Sequence, residues 1–281
     1  MLSYRHAFHA GNHADVLKHL VLVELCRYLG VKDKPFWYID THAGAGRYAL
    51  DSPQAARLGE YRQGIGRLWE CADLPRPLAD YVDLVRRINP SGRLQAYPGS
   101  PLLALWTTRV QDRLWLYERH SREVLRLRET FAGESRRVSV DEGDGFASLK
   151  GLLPPAPRRA LVLIDPAYEE KGDYGRVVQV LRSAVQRFPG GTYLVWYPQL
   201  VRREACELPQ RLKRLPVPAW IEVTLRVREP AADGLGMHGS GVWVVNPPWT
   251  LHASLQQAMP RLVELLGVDG RAGFTLDGRE Q

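Results

Sequence analysis

The sequence predicts an α/β fold with a mostly parallel sheet, because short apolar runs alternate with amphipathic stretches. Each run is rich in β-branched or aromatic residues and stops at a polar residue or a proline, which is typical of a buried strand. The predicted strands are residues 36–39, 113–117, 138–140, 160–164 and 192–197. Helical patterns separate them, as in residues 123–131 and 174–188. This alternation predicts a parallel sheet with helices on both faces.

Two later apolar runs, residues 220–227 and 241–245, are joined by a polar, glycine-rich stretch that does not fit a helix. They are predicted to form an antiparallel hairpin at the end of the sheet, which then has seven strands with an antiparallel last strand. The stretch from the first strand to the second is far longer than the roughly 30 residues of a βαβ unit. We therefore predict one domain, residues 1–281, with a small inserted helical subdomain at about residues 50–97. Residues 100–109 are predicted to return to the sheet as a helix.

Composition limits the class of protein without defining it. The chain has 281 residues and a net charge of +7, which favours an anionic partner, nucleic acid first. A general preference for Arg over Lys explains the charge equally well. Three distant cysteines without a CxxC pair argue against a zinc ribbon and fit a reducing cytosol. No apolar run reaches the roughly 18 residues of a membrane span, and the polar start does not resemble a signal peptide. We expect a cytoplasmic protein that does not bind membranes.

The first candidate site follows the first strand, where residues 44–49 fit the pattern G-x-G-x-x-A. Such glycines let the backbone approach a nucleotide at the N-terminus of a helix, although an ordinary tight turn has the same pattern. Glu118 ends the second strand, where a carboxylate can accept hydrogen bonds from both hydroxyls of a ribose. An isolated Glu at a strand end is more often simply solvated.

Two further candidates follow later strands. Asp144 and Gly145 precede Phe146, an arrangement in which Asp accepts from an adenine amine and Phe covers the ring. The alternative is a helix N-cap followed by a core Phe. The second candidate is the tetrapeptide Asp165, Pro166, Ala167 and Tyr168.

The tetrapeptide suits chemistry on the exocyclic amine of adenine, whose lone pair is delocalised into the ring. To attack a methyl sulfonium, that nitrogen needs acceptors directed at both of its hydrogens. The Asp165 carboxylate and the Pro166 carbonyl can supply them, and the Tyr168 ring can stack on the base. The carboxylate also stabilises the positive charge that develops on nitrogen. Asp-Pro after a strand is, equally, a common turn.

Residues 246–249, Asn-Pro-Pro-Trp, match the amino-methylating consensus more closely than residues 165–168 do. They end the predicted antiparallel strand, however, and ligands bind at the carboxyl ends of the parallel strands. We therefore interpret them as structural.

The N-terminal segment is rich in histidine. Four histidines accompany Tyr4, Arg5 and Lys18 in the first 19 residues: His6, His9, His13 and His19. His9 and His13 have helical spacing, but a turn signal between them and the lack of Cys or carboxylate neighbours disfavour a metal site. We expect no metal, and a basic, aromatic segment that closes over a base or a cofactor carboxylate. The alternative is a helix from about His13 that only covers the fold.

These motifs, in this order, resemble the RlmJ family of S-adenosylmethionine-dependent methyltransferases. The resemblance rests on residues 2–6, 8–19, 40–48 and 97–101 and on the strand that runs into Asp165 and Pro166. It implies a Rossmann-like class I methyltransferase fold. It also implies methylation of N6 of one adenine in 23S ribosomal RNA, protein-free or in an early assembly intermediate, by a monomer.

The resemblance assigns residues as well. Asp165 matches the catalytic position, and Tyr4 matches a residue that meets the RNA. The positions implied to bind the cofactor are His19, His42, Ser100, Glu118, Asp144, Gly145 and Asp165. Gly44 and Lys18 are added to the cofactor site, and His6, Pro166 and Tyr168 to the substrate site, by their places in the motifs. Ala167 departs from the family pattern, which has a second proline there, so we expect a modest effect on rate.

Other functions remain open at this point. A nicotinamide-dependent oxidoreductase could use the turn at residues 44–49, but leaves residues 165–168 and the basic N-terminus unexplained. A non-catalytic RNA-binding protein is a third interpretation, and adenine chemistry alone does not distinguish RNA from DNA. If RNA is bound, the candidate phosphate contacts are Arg5, Lys18, Arg57, Arg62 and Arg67.

Overall fold

The computed structural model describes residues 5–279 and contains two sheets. The strands are β1 Trp37–Asp40, β2 Arg47–Ala49, β3 Ala96–Pro98, β4 Arg113–Glu118, β5 Val138–Glu142, β6 Ala160–Ile164, β7 Thr192–Gln199, β8 Trp220–Arg226, β9 Gly239–Val245 and β10 Gly273–Arg279. The α-helices are α1 His13–Val31, α2 Pro53–Leu58, α3 Ile65–Trp69, α4 Arg76–Arg87, α5 Ser100–Thr107, α6 Ser121–Thr130, α7 Gly145–Leu152, α8 Lys171–Arg187, α9 Arg203–Lys213 and α10 Leu251–Leu266. Two short 3-10 helices lie at His6–Phe8 and Glu60–Gln63.

The main sheet has the order β10-β8-β9-β7-β6-β1-β4-β5. Strands β5, β4, β1, β6 and β7 are parallel neighbours, and β9 lies antiparallel between β7 and β8. The predicted parallel sheet and terminal hairpin are confirmed. The main sheet has eight strands among the described residues, one more than predicted, because β10 pairs with β8. This edge strand is mostly exposed, so it lacks the apolar run by which a buried strand is recognised.

Helices cover both faces of the sheet and enclose two apolar clusters. The larger one surrounds α1, whose Leu17, Leu20 and Leu25 are fully buried. The second lies under α8 and α9 and includes Val162, Ile164 and Leu181. Helix α1 begins at His13 as expected, because Asn12 caps it by accepting from the backbone NH groups of residues 14 and 15. The described residues include no helix long and apolar enough to span a membrane.

The segment from β2 to β3 contains helices α2, α3 and α4. The two strands pair with each other, Arg47 opposite Pro98, and close this segment at its base. Its contact with the N-terminal turn is very close, since the Ile65 NH donates to the Gly11 carbonyl at 2.8 Å. A Cβ on Gly64 would lie 2.0 Å from the same carbonyl oxygen, so glycine is required there. The segment and the N-terminal turn are therefore packed as one unit.

The turn at residues 44–49 differs from its prediction. It enters strand β2, and no helix begins there. Gly44 and Gly46 have φ angles of +60° and +74°, which favour glycine. The glycines thus reverse the chain toward the inserted segment, and the backbone does not present a helix N-terminus to a ligand.

Candidate active site

A cavity of about 1050 Å³ opens at the carboxyl ends of the parallel strands. Its wall includes His42 after β1, Glu118 at the end of β4, Asp165 after β6 and Pro198 near the end of β7. Parallel strands end at the same edge of a sheet, which is why residues far apart in sequence meet here. Ligands of open α/β sheets bind at this edge, so the cavity is the candidate active site.

A network of buried ion pairs lies in one wall of the cavity. Lys18 Nζ lies 2.6 Å from Asp165 Oδ2 and 2.9 Å from Asp15 Oδ1. The side chains of Lys18 and Asp15 are almost fully buried, and that of Asp165 is 14% exposed. Burial opposes the charge on Lys18, but the two carboxylates outweigh it and raise the lysine pKa. Lys18 therefore stays charged and fixes the Asp165 carboxylate, and it is not free to meet an RNA phosphate as the sequence suggested.

The loop after Asp165 is held by aromatic packing. Tyr168 has a φ angle of +53°, uncommon for a large side chain, and its hydroxyl donates to the Trp196 carbonyl at 2.7 Å. Its ring centroid lies 4.7 Å from that of Tyr174 and 6.0 Å from that of Trp196. Tyr168 still lines the cavity, as does Pro166, although the tyrosine is only 3% exposed. Tertiary contacts of Tyr168 therefore hold the loop in place in spite of Ala167.

Sequence reasoning missed Trp196. Its ring lines the cavity, and Lys18 Nζ lies 5.8 Å from the ring centroid. Trp196 lies within strand β7, where an aromatic residue is ordinary core, so no sequence pattern distinguishes it. Met237, in the loop between β8 and β9, also lines the cavity and was likewise not predicted.

Glu118 holds the glycine turn in place. Its Oε2 accepts from the Gly44 NH at 2.9 Å, and its Oε1 accepts from the His120 NH at 2.7 Å. Each carboxylate oxygen keeps a second lone pair for a ligand. The turn is also tight, since a Cβ on Gly44 would lie 2.2 Å from the Tyr48 hydroxyl. The predicted pair of Gly44 and Glu118 thus meets at the cavity wall.

Asp144 caps helix α7, so the alternative interpretation is correct in this respect. Its Oδ1 accepts from the Phe146 NH at 3.0 Å, and its Oδ2 pairs with Arg176. Gly145 leaves no room for a side chain, because a Cβ there would lie 2.3 Å from the Thr41 carbonyl oxygen. Phe146 lines the cavity with its ring 4.8 Å from that of His42 in an edge contact. Burial lowers the pKa of His42 to about 3, so its imidazole is neutral.

Buried polar residues support the floor of the cavity. The Ser100 hydroxyl donates to Asp40 Oδ2 at 2.7 Å, and burial raises the pKa of Asp40 to about 6. His19 Nδ1 and the Tyr97 hydroxyl share a hydrogen bond of 2.7 Å. Burial lowers the pKa of His19 to about 3. Ser100 and His19 both line the cavity, so they can contact a ligand while Asp40 and Tyr97 fix their orientation.

The N-terminal turn lies at the rim. His6 Nε2 donates to Asp15 Oδ2 at 2.9 Å, and His9 Nδ1 donates to Glu60 Oε1 at 3.0 Å. His9 therefore has a carboxylate partner in the inserted segment. In the described part of the chain, no group of three or more His, Cys, Asp or Glu is arranged for a metal. Tyr4 lies outside the described residues.

Of the other candidate phosphate contacts, Arg67 is used internally. Its guanidinium donates to the carbonyls of Leu265 and Gly267, at 3.0 and 3.3 Å, and so ties the inserted segment to the end of α10. Arg5, Arg57 and Arg62 are exposed.

Residues 246–249 lie at the opposite edge of the sheet, as the sequence predicted. The Asn246 amide donates to the carbonyls of Pro189 and Gly191, both at 2.7 Å and both just before β7 begins. The consensus-like motif is therefore structural, and the less perfect one at residues 165–168 lines the cavity.

This strand order, with one antiparallel strand beside β7 and a cavity at the carboxyl edge, defines a Rossmann-like class I methyltransferase. A family model described as "Ribosomal RNA large subunit methyltransferase D, RlmJ" matches residues 33–277. The chain belongs to the RlmJ family.

Two curated relatives, both named "Ribosomal RNA large subunit methyltransferase J", extend the match to almost the whole chain. The Haemophilus influenzae protein is 44% identical over 99% of this chain and 98% of its own length. The Escherichia coli protein is 47% identical over 93% of each chain. A solved structure from Legionella pneumophila is 33% identical, with a TM-score of 0.89 over 96% of this chain and 98% of that one.

Proposed function

We propose that this protein transfers a methyl group from S-adenosylmethionine to the N6 amine of one adenine in 23S ribosomal RNA. The names of the two curated relatives support a ribosomal RNA substrate. The choice of base, atom and donor rests on the cavity. The observation that carries it is the Asp165 carboxylate, fixed by Lys18 at 2.6 Å at the cavity wall and followed by Pro166.

The cavity fits S-adenosylmethionine in both size and chemistry. Its volume of about 1050 Å³ is large enough for a nucleoside cofactor together with a base. Glu118 retains acceptor sites for the ribose hydroxyls, and the Phe146 ring and neutral His42 offer a surface for the adenine. Ser100, His19 and Gly44, which line the cavity, complete the proposed cofactor site together with Asp144 and Gly145, which precede Phe146 and do not themselves line it. When bound, the cofactor supplies an electrophilic methyl group on a sulfonium.

The residues at the Asp165 loop act on the target base. Asp165 and the Pro166 carbonyl accept from the two hydrogens of N6, which orients its lone pair toward the methyl donor. Tyr168 and Trp196 form the aromatic side of the base site, with His6 at the mouth. An adenine within a helix must first leave its stack to reach them.

The charge on Lys18 sets the role of Asp165. Lys18 holds the Asp165 carboxylate at 2.6 Å, where it can stabilise positive charge on N6 as the bond to carbon forms. The spare proton of N6 leaves through Asp165 to water once the methylated nitrogen has become more acidic.

The proposal is tested by incubating the protein with methyl-labelled S-adenosylmethionine and a 23S rRNA transcript. Digestion to nucleosides should place the label in N6-methyladenosine. Label in another nucleoside, or the same yield on a DNA copy of the sequence as on the RNA, contradicts the proposal. Calorimetry with S-adenosylmethionine and with a nicotinamide cofactor distinguishes the proposal from the oxidoreductase interpretation, because only S-adenosylmethionine should bind.

A further inference from the structure

A dense group of cations lies at the amino ends of the parallel strands, the edge opposite the cavity. We call it the amino-edge basic surface, and it consists of Lys32, Lys34, Arg109, Arg113, Arg158 and Arg159. Lys32 and Lys34 precede β1, Arg113 begins β4, and Arg159 directly precedes β6. Strand β1 lies between β4 and β6, so the three strand starts are neighbours.

Hydrogen bonds bring these cations together around one loop. The Arg109 guanidinium donates to the carbonyls of Lys32 and Lys34, the second at 3.0 Å. The Arg159 guanidinium donates to the same Lys34 carbonyl and to that of Leu29. Two guanidinium groups therefore converge on one oxygen. The pKa of Arg159 is lowered, first by burial and then by the nearby charge of Arg109, as expected where positive charges crowd.

Four members of the surface are exposed and unneutralised. Lys32, Lys34, Arg113 and Arg158 form no ion pair and no side-chain hydrogen bond with any residue in the range 5–279. Arg158 also has a φ angle of +56°, a left-handed conformation uncommon for a long side chain.

Two nearby carboxylates, Asp33 and Asp112, offset only part of the charge of the six cations. Asp112 is fully buried, where it accepts from Arg109 and from the Phe36 NH. Asp33 accepts from the Gln111 amide at 3.2 Å. The exposed positive charge therefore remains available to a partner.

The cavity has the opposite balance of charge. Among the described residues that line it, eight carboxylates outnumber six Lys and Arg side chains. The net charge of +7 therefore comes from residues outside the site where the base is held. A polyanionic substrate needs positive surface elsewhere to be attracted and held.

We propose that the amino-edge basic surface binds backbone phosphates of the RNA substrate, in a segment distant from the target adenine. This rests on the proposed function, because it takes RNA as the substrate. Strand β4 has six residues, which at about 3.3 Å each puts the two edges about 20 Å apart. A folded RNA long enough to extend around the sheet reaches both edges, whereas a short fragment held at the cavity does not.

The test compares two variants with equal loss of charge. The first combines Lys32→Gln, Lys34→Gln, Arg113→Gln and Arg158→Gln. The matched control combines Arg93→Gln, Arg128→Gln, Arg182→Gln and Arg214→Gln, four exposed arginines in separate parts of the chain. Thermal melting and S-adenosylmethionine affinity, both expected to match the unsubstituted protein, establish that the variants are folded.

On the full 23S rRNA transcript, the first variant should raise KM about 10-fold and leave kcat within about twofold. The slope of log Kd for this RNA against log salt concentration should become shallower by about 2 to 4, since each lost phosphate contact removes about 0.7 to 0.9. The control should change KM less than threefold. On a fragment of about 20 nucleotides that contains the methylated adenine, both variants should equal the unsubstituted protein.

Equal changes of KM in the two variants would overturn the inference, because net charge alone would then account for the effect. An unchanged salt slope in the first variant would overturn it as well. Failure of the proposed function is distinguishable, because the unsubstituted protein would then methylate neither the transcript nor the fragment, whatever the binding data show.

Discussion

The two edges of the parallel sheet carry charge in opposite ways. At the carboxyl edge, charges are paired: Lys18 lies between Asp15 and Asp165, and Arg176 pairs with Asp144. At the amino edge, the four exposed cations of the amino-edge basic surface form no ion pair within residues 5–279. Paired, buried charges fix the direction of side chains, whereas exposed, unpaired charges act at a distance through solvent. The difference indicates that orientation of the base and attraction of the polyanion are separate tasks of the two edges.

The largest expected effect comes from removing the carboxylate at the carboxyl edge. Asp165→Ala should lower kcat for rRNA methylation about 10²- to 10⁴-fold, because N6 loses an acceptor and the developing charge loses its counter-charge. RNA affinity should change less than about threefold, as measured by filter binding. Asp33→Asn, which removes a carboxylate at the amino edge, is the control and should leave kcat unchanged. A large loss of RNA affinity in Asp165→Ala would show that the two tasks are not separate.

Glu118→Gln tests the proposed cofactor site at the carboxyl edge. The amide keeps the size of the side chain but loses one acceptor for ribose and weakens the hold on Gly44. Calorimetry should show S-adenosylmethionine affinity reduced about 10-fold, about 1.4 kcal/mol. RNA affinity should be unaffected. Unchanged cofactor affinity would remove Glu118 from the proposed cofactor site.

The buried histidines of the carboxyl edge make stability depend on pH. The pKa of His19 is lowered from 6.5 to about 3 in the folded protein, so below pH 6.5 the unfolded chain binds a proton that the folded chain does not. Stability is therefore lost as pH falls from 6.5, by at most about 1.4 kcal/mol per pH unit for this group. In His19→Gln, the free energy of unfolding measured with urea should depend less steeply on pH between pH 6.5 and 4. The slope should be reduced by up to that amount. The exposed His252 provides the control, and an equal flattening in His252→Gln would contradict the assignment.

The smallest effect is expected at the departure from the family pattern. The Ala167 NH makes no backbone hydrogen bond within residues 5–279, so proline can replace it without losing one. Because Tyr168 and Trp196 already hold the loop, Ala167→Pro should change kcat by less than about threefold. A tenfold gain in single-turnover rate would show that the loop is in fact flexible.

The sequence predicted the sheet and the terminal hairpin and placed residues 165–168 directly after a buried strand, because buried strands and their polar ends leave a local pattern. It did not predict β10, whose exposed residues form no such pattern. The turn after β1 was assigned to a helix N-terminus, since glycine permits a positive φ in either setting and only the pairing of β2 with β3 decides.

The charge relationships were the hardest to foresee. Lys18 is 147 positions from Asp165, and its place between two acids depends on how α1 packs against β7 and β9. Trp196 resembles any core residue of a strand. The amino-edge basic surface joins residues from three strand starts that share no sequence motif. Side chains that are brought together only by tertiary packing therefore leave no local sequence pattern from which to predict them.

The most direct test of the central claim replaces the amine on the target base. Once the methylated adenine has been mapped, a fragment of about 20 nucleotides is synthesised with purine, 2-aminopurine or 7-deazaadenine at that position. If the Asp165 loop presents N6 to the methyl donor, only the 7-deazaadenine fragment, which keeps the N6 amine, should accept labelled methyl, at a rate within about 10-fold of adenine. Methylation of the purine fragment at a comparable rate would contradict the account.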